Sequence, residues 1–549
     1  MLRQIAENFG MLKLWGSDRS EPTRPYWMIW AAIFTVTVLN IALKIVDQDP
    51  NLILYGFPPL FLILLALGFG RRLANGQPTI GWWLPMIPLS LLMIWCVFTQ
   101  VFGHFSLAPI LFHFQYEMES NGAMRSVAAE MALEVLPFFL VFICWRQAAR
   151  GHRQMQTLGK FLTIPFLVLN PFTFGIGNHV MRAYASDQLD LTRHFSDPSL
   201  AIKPQDRQPN FIHIYLESTE RTLWDECLFG KTAAPLKRLE SRGFSATGIA
   251  ESEKTNWTLA GHIASNCGTP LLGLGASGRY DFAHVNALLP KAVCLSDILA
   301  RDGYALTFMK GAMLEFAGTD GFVAAHNYHK GIGYKDIGAN YPTPVNAFGM
   351  RVNPWGIDDE DVFDAAFKEI ISLSSGKKPF GLTMTTIGGH SPHGYISRSC
   401  LADADVMSLP NHTLQAFYCT NKLTEAFISK VAKAGLLENT VVVVQSDHLA
   451  LRNEIFRQLK SKERRNSFII LKDGLSPSFS TTTATMVDTY PTLLEALGYT
   501  LPDRKAGLGV SLLSGHTTLA GQVGLDRLND AILSDYALRD KLWGIEPGT

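Results

Sequence analysis

The sequence lacks net charge. Its 549 residues carry 48 Lys+Arg against 48 Asp+Glu. That balance excludes bulk electrostatic attraction to nucleic acid. It also lacks internal repeats and low-complexity tracts, which excludes a repeat architecture. Cysteine is sparse, at seven residues. A cleavable leader is missing too: the first apolar run is too long and has no small-residue cleavage site.

Long apolar runs are present, all before about residue 178. A bilayer-spanning helix needs roughly 20 apolar residues. Five runs approach that length: Trp27–Ile45, Leu52–Phe69, Trp82–Phe102, Ala128–Trp145 and Phe161–Ile176. Glu130, Glu134 and several prolines interrupt the last two. Basic residues cluster before the first run (Arg3, Lys13, Arg19, Arg24), after the second (Arg71, Arg72) and before the fifth (Arg146, Arg150, Arg153, Lys160). The other two loops are poor in them. Basic loops stay cytoplasmic. The expectation is a five-helix transmembrane domain over 1–178 with a cytoplasmic N-terminus. A polar linker follows over 179–208, with room for an interfacial helix, and then an extracytoplasmic domain over 209–549.

That domain alternates between two patterns. Near-continuous apolar runs predict strands at Phe211–Leu216, Ala305–Met309, Phe380–Thr385, Val441–Gln445 and Phe468–Leu471. Helical patterns fall at Leu259–Ser265, Leu295–Arg301, Asp358–Leu373, Leu414–Ala434 and Thr489–Leu497. Apolar strands alternating with helices imply an α/β fold with a mostly parallel sheet covered on both faces. Ligands then bind beyond the carboxyl ends of the strands.

Those ends carry the chemistry. The run FIHIYLE ends on Glu217, VVVVQSDH ends on Asp447 and His448, and FGLTMTT leads to His390. Buried charge is costly unless it is paired or metal-bound. Carboxylates with an imidazole suit a divalent ion. Thr258 stands at the start of a predicted helix, where free N–H groups favour a phosphoryl group. It is a candidate nucleophile or simply a helix cap, and Thr255 competes with it. His390 could bind phosphate or protonate a leaving group. Disulfides are permitted in an oxidising compartment. Cys267–Cys294 and Cys400–Cys419 are the pairs considered, with Cys227 left free, although sequence does not fix pairing.

YLESTERT, NWTLAGHIASNCGTPL, VCLSDIL, NPWGIDDEDVFDAA, SDHLA and VDTYPTLLEALG, in that order, resemble the phosphoglycerol transferase I family. That family lies in the lipoteichoic-acid-synthase-like branch of the alkaline phosphatase and sulfatase superfamily. The resemblance covers about residues 209–515, together with the multi-span N-terminus. It implies an alkaline-phosphatase-like α/β domain with one divalent metal, Mn²⁺ favoured over Zn²⁺ or Mg²⁺, held by Glu217, Thr258, Asp447 and His448. Thr258 would be the catalytic nucleophile, with Gly261 the small residue expected three positions later. His390, Lys310, Trp257 and Trp355 would contact substrate. Cysteines 267, 294, 400 and 419 sit where the family places them.

The implied reaction moves phosphoglycerol from phosphatidylglycerol to an osmoregulated periplasmic glucan, at a bacterial inner membrane. A phosphoethanolamine transferase acting on lipid A or glucan is the alternative. One departure bears on that choice. Relatives usually carry a basic residue in the stretch equivalent to Leu314–Asp320. Here Glu315 and Thr319 stand there, and an acidic Glu315 could suit a cationic head group. Thr258 is followed by Leu-Ala-Gly, so the C/S-x-P-x-R setting of a formylglycine sulfatase is absent.

Overall fold

The computed structural model describes residues 83–102, short stretches between 135 and 146, 153–183, 189–204, 208–273, 287–341, 344 and 352–545. The spans expected at Trp27–Ile45 and Leu52–Phe69 lie outside the described residues, as does most of Ala128–Trp145. Trp82–Phe102 yields a helix over Met86–Phe102. The expected span Phe161–Ile176 is instead divided between two helices, Arg153–Val168 and Pro171–Ala183. The cause is Pro171, because a proline disfavours helical geometry in the residue before it. Among the described residues, no helix is long and apolar enough to cross a membrane. The described residues fall into two compact units, and everything from Pro171 onward belongs to the larger one.

The larger unit is built on strands β1 Asn210–Leu216, β2 Phe244–Ala246, β3 Ile249–Ala250, β4 Ala305–Lys310, β5 Lys330–Ile332, β6 Phe380–Thr385, β7 Thr440–Ser446, β8 Phe468–Leu471, β9 Ser478–Ser480 and β10 Ala484–Thr485. Eight of them form one sheet in the order β5-β4-β6-β1-β7-β8-β2-β9. The run β5-β4-β6-β1-β7 is parallel, whereas β8 is antiparallel to both β7 and β2. Strands β3 and β10 pair separately.

Period-two alternation explains the two cores. Phe211 of β1 and Val441 and Val443 of β7 face one layer, with Ile263, Leu299 and Leu493 from the helices Thr258–Cys267, Leu295–Arg301 and Thr489–Ala496. Ile212, Ile214, Val442 and Val444 face the other. There they meet Leu236, Val362 and Phe427 from the helices Ala234–Glu240, Asp359–Ser374 and His412–Lys433. All four valines of β7 are buried, and each such side chain stabilises by roughly 1.5–3 kcal/mol. The sheet is therefore the rigid element against which the site is fixed.

Candidate active site

Four neighbouring strands, β4-β6-β1-β7, end on one edge of the sheet. Leu216 of β1 is in register with Ser446 of β7, so Glu217 and Asp447 emerge side by side. His448 follows, and all three side chains are buried. One ligand atom from each lies within 4.8 Å of the others.

The hydrogen bonds fix these groups closely. Ser218 has φ 56°, a left-handed conformation that costs a non-glycine residue stability. That turn aims its N–H at Asp447 Oδ1 (2.9 Å) and its hydroxyl at Glu217 Oε1 (2.8 Å). The His448 N–H also donates to Asp447 Oδ1, at 2.8 Å. His448 Nδ1–H donates to the Leu449 carbonyl at 2.7 Å. In the neutral imidazole Nε2 then carries the lone pair, 3.4 Å from Glu217 Oε1 and 3.5 Å from Asp447 Oδ2.

A lone pair facing two carboxylates is repulsive unless a cation or a proton stands among them. Asp447 Oδ2 is buried and accepts no hydrogen bond. Burial and the Glu217 charge push the Asp447 carboxyl up. Burial pulls His448 down, but the charges of Asp447 and Glu217 outweigh it and raise the imidazole. The protein alone thus favours uptake of positive charge here. Two carboxylate oxygens and one neutral imidazole nitrogen fit a divalent ion.

Thr258 is the first residue of the helix Thr258–Cys267, following Trp257 in extended geometry. Its half-buried hydroxyl lies 3.4 Å from Glu217 Oε2. Thr255 is placed differently. It is fully buried, donates to the Ser252 carbonyl (2.8 Å) and accepts from the Ser252 N–H (3.2 Å). Its hydroxyl closes a turn and makes no contact with the acidic cluster. Gly261 explains how the helix comes so near: a Cβ there would sit 1.7 Å from the Asp447 carbonyl oxygen. The far end of the same helix is tied by the Cys267–Cys294 disulfide, and Cys400 is bonded to Cys419. Cys227 is free and exposed.

The loop after β6 delivers His390. Its ring stacks on Trp355, centroids 3.8 Å apart, and its Nδ1–H donates to the Ser391 carbonyl at 2.8 Å. Burial lowers its pKa, opposed by the Glu217 charge. Lys310 ends β4 and is buried, donating to Thr319 Oγ1 at 2.9 Å. Trp257 is buried beside Thr258. Glu315 does not join this group. It pairs with Lys335 at 2.7 Å, and both side chains are more than half exposed. The carboxylate expected to suit a cationic head group thus faces Lys335 at the surface in this structure.

Three positions carry part of the geometry without having been singled out in the sequence. Ser218 is one. Asp359 is another, fully buried, accepting from the N–H groups of Ile387 (2.8 Å) and Gly388 (3.0 Å) and from Thr420 Oγ1 (2.7 Å). It anchors the loop that leads to His390. Burial raises its carboxyl to about 6. Its signal was hidden within the acidic run DDED at a helix start. The third is Gly389, where a Cβ would lie 2.3 Å from the Glu217 carbonyl oxygen. A glycine pair after an apolar strand was the available clue.

The sulfatase family model matches residues 203–499. Phosphoglycerol transferase I of Escherichia coli O6:K15:H31 (strain 536 / UPEC) is 33% identical over 331 residues, covering 60% of this chain and 42% of that protein. Phosphoglycerol transferase I of Citrobacter koseri is 34% identical over the same length and the same shares. The match thus spans less than half the length of these curated relatives. Among solved structures, an alkaline phosphatase superfamily protein from Vibrio parahaemolyticus has a TM-score of 0.45 at 20% identity, covering 62% of this chain and 79% of that one. The lipoteichoic acid synthase LtaP from Listeria monocytogenes has 0.42 at 16% identity, covering 64% and 81%. With the matched segment taking in the sheet, the helix of Thr258 and the buried acidic cluster, the chain belongs to the sulfatase family, with a sulfatase-type α/β domain.

Proposed function

We propose that this chain transfers phosphoglycerol from phosphatidylglycerol to a periplasmic glucan, through a covalent intermediate on Thr258. The observation that carries the reading is the approach of the Thr258 hydroxyl, at a helix N-terminus, to Glu217 beside Asp447 and His448. Its relatives named phosphoglycerol transferase I supply the reaction class. Glu217, Thr258, Asp447 and His448 would hold one divalent metal, with Mn²⁺ favoured. When bound, the metal neutralises phosphoryl charge and lowers the pKa of the threonine hydroxyl.

The remaining work falls to side chains. The Thr258 hydroxyl gives up its proton to solvent as Oγ1 forms a bond to phosphorus, and the bond from phosphorus to the diacylglycerol oxygen breaks. That oxygen takes a proton from solvent. The N–H groups at the start of the helix Thr258–Cys267 hold the phosphoryl oxygens. His390 begins neutral, with Nδ1–H committed to Ser391 and Nε2 left as the proton-accepting nitrogen. In the second half, a glucan hydroxyl attacks phosphorus and its proton passes to Nε2, the bond from phosphorus to Thr258 Oγ1 breaks with Oγ1 regaining a proton from solvent, and Nε2 then releases its own proton to solvent. Such transfer is chiefly positioning and electrostatics, in keeping with so few reacting groups. The apolar runs before residue 178 fit a multi-pass anchor in the inner membrane, with the catalytic domain in the periplasm beside its donor lipid.

Mass spectrometry of the full-length protein after incubation with phosphatidylglycerol and Mn²⁺ tests this. The expected result is an adduct of glycerophosphate mass on the peptide containing Thr258. It is absent from Thr258→Ala and retained by Thr255→Ala. An adduct that survives Thr258→Ala would overturn the nucleophile.

A further inference from the structure

His448 is aimed by the backbone beside it. Its Nδ1–H donates to the carbonyl of the next residue, Leu449, at 2.7 Å. That carbonyl lies past the end of β7, where strand pairing no longer fixes the chain. An imidazole tethered to a loose peptide swings with it. Whatever holds the Leu449 peptides therefore decides where Nε2 points.

Two carboxylates from different parts of the chain hold them. Glu251 Oε1 accepts the Leu449 N–H at 2.8 Å. Glu220 Oε2 accepts the Ala450 N–H at 3.1 Å. That N–H belongs to the same peptide unit as the carbonyl facing His448. Glu220 is paired in turn with Arg464, whose Nη2 also donates to the Ala450 carbonyl, at 2.6 Å. Leu449 and Ala450 are both buried, so these bonds replace ones that water cannot supply.

Glu220 and Arg464 form a buried ion pair, and each needs the other whatever lies nearby. Glu251 is different. It is half-buried and stands just after β3, before the turn Ser252–Thr255 that leads to Thr258. Its own position is fixed on the end of β7: the Ile249 carbonyl accepts from the Asn466 N–H at 2.8 Å, and Asn466 Oδ1 accepts from the Ser446 hydroxyl at 2.9 Å. The cluster that could share one ion is Glu217, Asp447 and His448, so Glu251 acts from outside it. A single side chain thus joins the segment of the proposed nucleophile to the peptide that aims His448.

The arrangement is a relay of hydrogen bonds from carboxylate to peptide to imidazole. Bonds in such a chain polarise one another. A carbonyl that accepts the outer N–H of a ligating histidine fixes its tautomer and raises its basicity as a ligand. Resting on the metal reading of the site above, we propose that Glu251 is a positioning residue: by holding the Leu449 N–H it steadies the carbonyl that orients His448, and so sets how tightly the site holds a divalent ion.

The test is calorimetric titration of Mn²⁺ into full-length protein in detergent micelles, stripped of metal beforehand with EDTA. No lipid is present, so the result does not depend on the transfer reaction. Glu251→Ala is expected to bind Mn²⁺ about 10–100-fold more weakly than the wild type. Glu251→Gln keeps an acceptor for the Leu449 N–H and should recover most of that loss. Lys254→Met is the control for general loosening. It releases the same segment from the Ile532 carbonyl without touching Leu449, and should leave the Kd unchanged within about twofold. An unchanged Kd in Glu251→Ala, an equal loss in Glu251→Gln, or an equal loss in Lys254→Met each sinks the proposal. Should Glu251→Ala not fold, Glu251→Asp, whose shorter arm withdraws the acceptor, is expected to weaken binding in the same direction, and an unchanged Kd there counts equally against it. No Mn²⁺ binding by the wild type would remove the metal reading itself, and this inference with it.

Discussion

At the residue scale, the most constrained atom at the site is a hydrogen. Gly261 faces the Asp447 carbonyl so closely that a Cβ would lie 1.7 Å away. Backbone meets backbone there, so no flexible side chain can yield. The variant Gly261→Ala must push the helix Thr258–Cys267 off the end of β7. Overpacking of this kind costs roughly 3 kcal/mol, and displacing a nucleophile by about 1 Å can cost about 100-fold in rate. The expected outcome is a lower melting temperature together with loss of diacylglycerol release. A Gly261→Ala protein with wild-type melting and rate would show that the contact does not set the position of Thr258.

Residue chemistry was only partly legible in the sequence. Glu217, Asp447 and His448 stood out because charged groups directly follow apolar strands. Ser218 did not, because its contribution is a left-handed turn that no composition reveals. Lys310 was visible as a nearby cation, but its burial against Thr319 is a three-dimensional fact. The placement of Glu315 is likewise three-dimensional. Glu315 is five residues from Lys310 in sequence, yet its side chain leaves toward Lys335.

At the scale of elements, the loop 387–390 depends on a carboxylate from another layer. Asp359 accepts from two of its N–H groups and from Thr420. An amide in its place presents an N–H₂ to at least one of these donors. Leaving a buried donor unsatisfied costs about 1–3 kcal/mol. Asp359→Asn is therefore expected to loosen the loop, seen as faster hydrogen exchange at Ile387 and Gly388. Release of diacylglycerol should slow by about tenfold to 100-fold, while the Thr258 adduct still forms. Unchanged exchange in an active variant would show that the loop holds itself.

Long elements were read closely. The expected strands at Phe380–Thr385 and Phe468–Leu471 match β6 and β8 residue for residue. The expected helix Leu295–Arg301 is likewise observed. Strands β2, β3, β5, β9 and β10, of two or three residues each, went unseen, because so short a run carries no period. Their pairing is set by the sheet that receives them.

At the scale of the molecule, the C-terminal helices acquire a place. Leu525–Ser534 packs against Pro171–Ala183. Lys254 Nζ donates to the Ile532 carbonyl and the Glu253 N–H donates to Asn529, at 2.8 and 2.9 Å. Trp543 donates to the Leu272 carbonyl at 2.7 Å. The chain's last helices thus hold the segment that leads into Thr258.

Stability as a whole should follow pH through Asp488, a fully buried carboxyl raised to about 7 by burial, against the N–H groups of Thr485 and Val510. A carboxyl whose folded pKa is raised contributes most below its unfolded value near 3.8. That contribution is lost as pH rises through about 7. Stability of the full-length protein should therefore fall between pH 5 and pH 8, seen as a lower melting temperature, by up to about 3 kcal/mol for this group at 1.36 kcal/mol per unit. Asp488→Asn should flatten that part of the slope. An identical slope in the variant would place the titration elsewhere.

The clearance at residue 261 has a consequence for engineering. What sets the proposed attacking atom beside the buried acids is a glycine three positions away, and residue 258 itself is half-buried. Scaffold and reacting atom are therefore separable. Serine or cysteine at position 258 should inherit the same placement without a redesigned backbone, which makes this one position a natural starting point for swapping leaving-group preference in a laboratory catalyst.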